Sequence, residues 1–193
     1  VVAAERQHRP AFDHQPRPYA GPSPDEILRL RREFLNPGIF LYYTKPLTLV
    51  EGKMQYVWDE TGRRYLDALG GIVTISVGHC HPDVVEAARK QNELLQHSTT
   101  IYLHPNIAEY AKKLASKMRG ELKVCYFVNS GSEAVDTALK IALGYHRVRG
   151  EAGRTRFIGR ERGYHGVGFG GISVGGIGGN RKTFSPLLPG VDH

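Results

Sequence analysis

Two short runs in this 193-residue chain have the residue types and spacing to hold a charged, planar small molecule. The first is Val128-Asn129-Ser130-Gly131-Ser132-Glu133-Ala134. A mostly apolar run, Leu122 to Val128, leads into it, and a helical pattern follows, so it reads as a strand–turn–helix junction. The first N–H groups of such a helix lack intrahelical acceptors, and the helix dipole adds partial positive charge there. Gly131 lets a ligand come close to the backbone, and the Ser130 and Ser132 hydroxyls add donors. This is the chemistry of an anion site, best matched to a phosphate. Plain capping of the helix by Ser132-Glu133 uses the same residues, and the turn alone does not separate the two readings.

The second run is Gly163-Tyr164-His165-Gly166. An aromatic between glycines can lie flat against a planar ligand, with His165 beside it; an ordinary aromatic loop anchor is the alternative. Gly166-Val167-Gly168-Phe169-Gly170-Gly171 also satisfies G-x-G-x-x-G, with Asp192 about twenty residues on. That fingerprint needs a helix directly after the glycines, and Ile172 to Gly179 is too glycine-rich to form one. His79-Cys80-His81 has metal-ligating residue types, but three adjacent residues cannot readily chelate one ion, so no metal is expected. No Ser–His–Asp or Cys–His arrangement can be read from the sequence.

The elements that position these runs follow from pattern and punctuation. Residues 1–24 are rich in Pro, His and Arg and read as an extended arm lying on another surface or another subunit. Asp25 to Leu35 reads as a helix, capped near Ser23 and stopped by Asn36-Pro37-Gly38. Leu47 to Asp67 reads as a small antiparallel sheet turning at Asp59-Glu60-Thr61-Gly62. A helix is expected from Pro82, and another from near Pro105 to Gly120. Leu122 to Val128 is expected as a buried parallel strand, with Cys125 as a buried thiol. Ser132 to Arg149 is expected as a helix turning Ala134, Ala138, Ile141, Ala142 and Tyr145 inward. Thr155 to Gly159 is a second short strand. Nine of the seventeen residues from Gly163 to Gly179 are glycine, which predicts a loop that other backbone approaches closely. The alternation gives an α/β fold class.

Composition narrows the function classes. An apolar fraction of 40% with 23% charged residues is that of a soluble globular protein. No apolar run approaches the roughly 20 residues of a membrane span. The net charge of +7 comes from scattered Lys and Arg without a groove-reading motif, so a solvated basic face is favoured over nucleic-acid binding. The two cysteines, Cys80 and Cys125, make neither a disulfide framework nor a zinc ribbon. The chain opens on Val1, and its first twenty residues carry Arg6, Arg9 and Arg17 against Glu5 and Asp13. That composition fits the sequel of a cleaved organellar transit peptide, or simply a cut boundary.

As a set, Gly62-x-x-Tyr65-x-Asp67, Gly78-His79-Cys80-His81-Pro82, Asn129-Ser130-Gly131-Ser132-Glu133-Ala134 and Gly163-Tyr164-His165-Gly166 resemble class III aminotransferases. The resemblance runs from about Pro10 to the end. From Tyr42 to Ala134 it is closest to the alanine–glyoxylate aminotransferase 2 branch, which is mitochondrial in animals and plants. From Val135 to His193 it is closer to bacterial β-alanine–pyruvate aminotransferases.

The resemblance implies a fold-type I transferase dependent on pyridoxal 5'-phosphate (PLP). It implies that Ser130, Gly131 and Ser132 hold the cofactor phosphate, Tyr164 stacks on the ring and His165 sits beside it. It further implies that Tyr42 or Tyr43, with Ile72 and Val73, line the substrate entrance. The family's Schiff-base lysine and ring-nitrogen aspartate come later in its chains, so no catalytic residue is expected here; Lys140 and Lys182 do not stand in the lysine motif. Residues 25–80 would then begin the small domain and 81–193 the large one, and the chain alone would be inactive. The partners implied are an amino acid, an oxo acid and a second subunit, with no nucleic acid or membrane. The location implied is mitochondrial, or otherwise cytoplasmic. A shortened, non-catalytic relative serving as an assembly subunit is the alternative, as is a generic phosphate-binding α/β domain in which Tyr164 does not stack.

Overall fold

The computed structural model of the chain describes residues 12–193. The chain divides into two compact units, Val1–Tyr102 and Leu103–His193.

In the first unit, helix α1 (Pro24–Phe34) begins where Ser23 Oγ accepts the Glu26 N–H at 3.2 Å. Strands β1 (Leu49–Lys53), β2 (Tyr56–Asp59) and β3 (Arg64–Leu66) form an antiparallel meander, with Lys53 opposite Tyr56 and Trp58 opposite Arg64. Trp58 is 2% exposed. Its cover comes from the arm: Phe12 stacks on it at 6.1 Å and His14 meets it edge-on at 5.0 Å. His14 Nε2 lies 2.6 Å from Glu51 Oε1, and the Arg17 N–H donates to Glu51 Oε2 at 2.9 Å. Thus Phe12 to Arg17 lie on the chain's own sheet; the first eleven residues of the arm fall outside the described residues.

The Gly78–His81 run divides its duties. Met54 and His79 exchange backbone hydrogen bonds of 2.7 Å, and the His79 ring lies 2.7 Å from Asp67 Oδ2. His81 Nδ1 accepts the Asp83 N–H at the start of the helix that follows. Between Asp67 and His79 the chain makes a tight turn, α2 (Gly70–Val73), with positive φ at Gly71, Ile72 and Val73. Helix α3 (Pro82–Leu94) begins at the expected proline.

In the second unit, helix α4 (Pro105–Ala115) is capped by His104 and stops earlier than expected. The Ser116 hydroxyl donates to the Lys113 carbonyl at 2.7 Å, and the N–H groups of Lys117 and Met118 bond three residues back, which tightens the last turn and ends the helix before Gly120. The expectation of a buried strand over Leu122–Val128 is also corrected. The segment pairs with no strand among the described residues, and Leu122, Val124 and Tyr126 are exposed. It lies along α4 instead, where Phe127 stacks on Tyr110 at 5.2 Å and the half-buried Cys125 thiol faces the Ala111 carbonyl. A parallel strand requires a neighbour to satisfy its backbone, and no neighbouring strand lies there.

Helix α5 (Gly131–Val148) is the long element of this unit. Its covered face is not the expected one. Of the residues expected inward, Ala134, Ala138, Ile141 and Tyr145 are exposed and Ala142 is half-buried, as are Ser132, Asp136 and Leu139. Strands β4 (Phe157–Ile158) and β5 (Val191–Asp192) pair in parallel, joined by an Arg156–Asp192 fork of 2.6 to 2.9 Å. The glycine-rich stretch, expected as loop throughout, contains two short helices, α6 (Phe169–Val174) and α7 (Gly178–Thr183). Helix α6 forms despite its glycines because they let it pack tightly on α5: a Cβ at Gly170 would collide with Asp136 and lie 3.0 Å from Leu139. Ile172, Ser173 and Val174 of α6 form the buried centre of the unit. The Ser173 hydroxyl donates to the Phe169 carbonyl and accepts the Leu188 N–H.

Candidate anion and ring site

The turn before α5 is a capping box. Ser130 Oγ accepts the Glu133 N–H at 3.1 Å, and Glu133 Oε2 accepts the Asn129 N–H at 2.7 Å. The cap is therefore Ser130 with Glu133, not Ser132 with Glu133. Capping and anion binding do not exclude one another here. Gly131 and Ser132 hold the first two positions of the helix, whose N–H groups have no acceptor within an α-helix. A Cβ built on Gly131 would meet nothing within 4 Å, so the space outside these donors is open.

The second serine has its own task. Ser132 Oγ accepts the Val167 N–H at 3.0 Å, across 35 residues of sequence. Gly166, at φ +108°, packs directly on it: a Cβ there would lie 2.8 Å from Ser132 Cα. Both the close approach and the positive φ require glycine. The two runs singled out in the sequence therefore meet at Ser132. Each serine oxygen accepts a backbone N–H, and a hydroxyl carries one proton of its own to give. Two O–H donors and two N–H donors thus stand at the positive end of an 18-residue helix.

Tyr164 and His165 immediately precede this contact. Tyr164 is 65% exposed. His165 is half-buried and folds back on Gly163, where a Cβ would lie 2.7 Å from its Nε2. The hollow among Gly163, Tyr164, His165 and Gly166 holds only about 10 Å³, so a ring has to lie on the open face of Tyr164 and not beneath it. The donor set and the open aromatic face suit a ligand with a phosphate at one end and a flat ring at the other. A larger cleft of about 550 Å³ runs along α5, walled by Leu139, Leu143, Phe157, Val174 and Val191, and contains none of these donors. Its walls are mostly apolar, with Asp136, Lys140, Arg147 and Arg154 among them, and the donors, not the volume, mark the anion site.

A family model for class III aminotransferases matches residues 42–193. The chain belongs to the class III aminotransferases. Among the relatives of this class III chain is an alanine–glyoxylate aminotransferase 2 homolog from Arabidopsis thaliana, named as mitochondrial. It is 46% identical over 95% of this chain and 37% of its own length. An omega-aminotransferase from Caulobacter vibrioides is 51% identical over 71% of this chain and 32% of its own. The chain thus spans about a third of the length of these curated relatives. An amine transaminase from an uncultivated Pseudomonas species, solved in its PLP-bound form, shares the fold with a TM-score of 0.73 and 34% identity, over 83% of this chain and 37% of that one. The family that the motif set resembles is the one to which the chain belongs.

The residues expected at a substrate entrance belong to the first unit. Tyr42, Tyr43, Ile72 and Val73 are 88%, 66%, 78% and 85% exposed. Two features of the site are absent from the expectations above. The capping box is visible as Ser130-x-x-Glu133 once Ser130 is taken as the cap. Asp136, four residues after Ser132 on the same face of α5, accepts the Gly171 N–H at 2.9 Å. Its only sequence signal is that spacing.

Proposed function

We propose that this chain supplies the phosphate-holding and ring-holding part of a PLP-dependent aminotransferase. The full-length protein transfers an amino group from alanine, β-alanine or another omega-amino acid to glyoxylate or pyruvate. The observation that carries the reading is the meeting of the two runs at Ser132, which sets the donor turn beside the Tyr164–His165 loop. Family membership supports it. The residues present fit the cofactor: Gly131 leaves open space before unpaired helix-start donors, and Tyr164 offers an exposed aromatic face.

When bound, PLP supplies the electron sink that makes a bond at the amino-bearing carbon of the substrate breakable. The residues of this chain bind and orient. The N–H groups of Gly131 and Ser132 and the hydroxyls of Ser130 and Ser132 take the phosphate, helped by the α5 dipole. Tyr164 would hold one face of the ring with its exposed aromatic face. His165, folded on Gly163, stiffens the loop behind it. The lysine that moves the proton and the aspartate that pairs with the ring nitrogen are assigned to polypeptide beyond this segment.

On this reading residues 25–80 begin the small domain and 81–193 the large one, and the protein works as a homodimer. Tyr42, Tyr43, Ile72 and Val73 line the path of the substrate. No helix among the described residues is long and apolar enough to cross a membrane, and the Arabidopsis relative's name favours the mitochondrion. The test is to pass the full-length protein through gel filtration and record the visible absorbance of retained PLP, then to assay amino transfer from alanine and β-alanine. Retained PLP with transfer is expected. A folded full-length protein that takes up no PLP overturns the reading. Retained PLP without transfer points to the non-catalytic relative.

A further inference from the structure

Helix α6 starts at Phe169 after Gly168, a residue with no side chain to cap it. Its third N–H, that of Gly171, is nevertheless satisfied: Asp136 Oδ1, on the neighbouring helix α5, accepts it at 2.9 Å. The carboxylate does from outside what an N-cap side chain does from within, and its charge suits a helix start. The glycines are shaped to it. A Cβ at Gly168 would lie 2.5 Å from Asp136 Oδ2, a Cβ at Gly170 would collide with Oδ1, and one at Gly171 would lie 2.6 Å from the His165 carbonyl.

Ser132 and Asp136 stand four residues apart on one face of α5, and the N–H groups they hold, of Val167 and Gly171, are also four apart. Two acceptors thus grip the segment that begins directly after Tyr164-His165. One of them, Ser132, also belongs to the phosphate turn. The other lies about one helical turn, roughly 5.4 Å, further along, where it touches the segment without joining the donors.

We propose that Asp136 is a positioning residue for the ring: through Gly171 and α6 it fixes the Tyr164–His165 loop at the distance from the phosphate turn that a bound PLP spans. The proposal rests on the PLP reading above. Its acceptor, not its charge, is the working part, because the contact is a hydrogen bond to a backbone N–H.

The test uses the full-length protein and three variants. Asp136→Asn keeps an oxygen where Oδ1 stands, Asp136→Ala removes it, and Asp136→Glu keeps the charge but sets the oxygen one methylene further out. PLP affinity, the circular dichroism of bound PLP in the visible range, inhibition of PLP uptake by inorganic phosphate, and Tm are recorded for each. Asp136→Asn should stay within about two-fold of the parent in affinity and keep the sign and size of the dichroism. Asp136→Ala and Asp136→Glu should bind PLP about five-fold more weakly, the equivalent of about 1 kcal/mol of ring stacking, and lose most of the dichroism. The inorganic phosphate constant should not move, because the α5 turn is intact. Should Asp136→Ala fail to fold, Asp136→Glu carries the test. Unchanged PLP affinity and dichroism in the variants that lose the acceptor, with or without a fall in Tm, overturn the proposal, as does an Asp136→Asn variant as impaired as Asp136→Ala. A parent protein that takes up no PLP overturns instead the reading on which the proposal rests.

Discussion

Tyr164 owes its assignment to exposure and to its neighbours. It is 65% exposed although it stands two residues before Gly166, which packs closely on Ser132. Replacing it with Ala in the full-length protein should weaken PLP binding about five-fold, the loss of about 1 kcal/mol of stacking. Tyr164→Phe should bind as the parent does. Equal affinity of all three in a fluorescence titration would return the site to a plain phosphate turn. This residue was legible in the sequence because an aromatic between two glycines is unusual punctuation. Asp136 was not, because its partner is a backbone N–H 35 residues away and no side-chain type announces a backbone donor.

Asp59 illustrates the same point for the other unit. It sits 7% exposed at the end of β2, where Oδ1 accepts from the Thr61 N–H and hydroxyl and the Arg63 N–H, and Oδ2 accepts the Tyr65 hydroxyl. Burial alone would raise its pKa, but the hydroxyls of Thr61 and Tyr65 and the two N–H groups outweigh it and hold the carboxyl below its ordinary value. A depressed carboxylate stabilises the fold fully above its unfolded pKa of about 3.9, and that contribution is lost as pH falls through the lower folded value. Asp59→Ala should therefore cost about 1 to 3 kcal/mol at pH 7. The gap from the parent should narrow below about pH 4, as read from urea midpoints. A gap that is constant with pH would show that the ionised form is not the one that matters.

Among the elements, those that announce themselves by local chemistry lie where the sequence places them. Helix α1 begins at Ser23-Pro24 and the β2–β3 turn falls at Asp59 to Gly62, because caps and turns are settled within four or five residues. The elements that depend on distant partners do not. Leu122 to Val128 has strand composition but no neighbouring strand among the described residues, and lies on α4. The apolar stripe of α5 is exposed because its covered side is the one that faces the glycines of α6. The capping box is a local device and gives a local prediction. Ser130→Ala should destabilise the first turn of α5 by about 1 kcal/mol, seen as roughly five-fold faster hydrogen exchange of the Glu133 and Ala134 amides. Because the same substitution removes one O–H donor, phosphate inhibition of PLP uptake should weaken in step. Faster exchange with an unchanged phosphate constant would leave Ser130 a cap and nothing more.

At the scale of the whole chain the decisive quantity is surface. Among the described residues, the buried apolar side chains are those of Val57, Trp58, Ile172 and Val174. Phe34, Phe40, Tyr42, Ile101, Val124 and Tyr126 stand mostly exposed, and the cleft of about 550 Å³ along α5 is mostly apolar. Each of these surfaces has the composition of a core. The 193 residues expressed alone should therefore bind the dye ANS strongly and elute as mixed oligomers at micromolar concentration, with far-ultraviolet helix content but little fixed tertiary packing. Tyr110, Phe127 and Trp58 should still give a weak near-ultraviolet signal, since the Tyr110–Phe127 contact lies within the second unit and the Phe12–Trp58 contact within the first. A full-length protein in which the cleft is covered should bind less ANS. A sharp cooperative melt of the 193 residues as a monomer, without ANS binding, would contradict this and would mean that the exposed faces are tolerated by the chain as it stands.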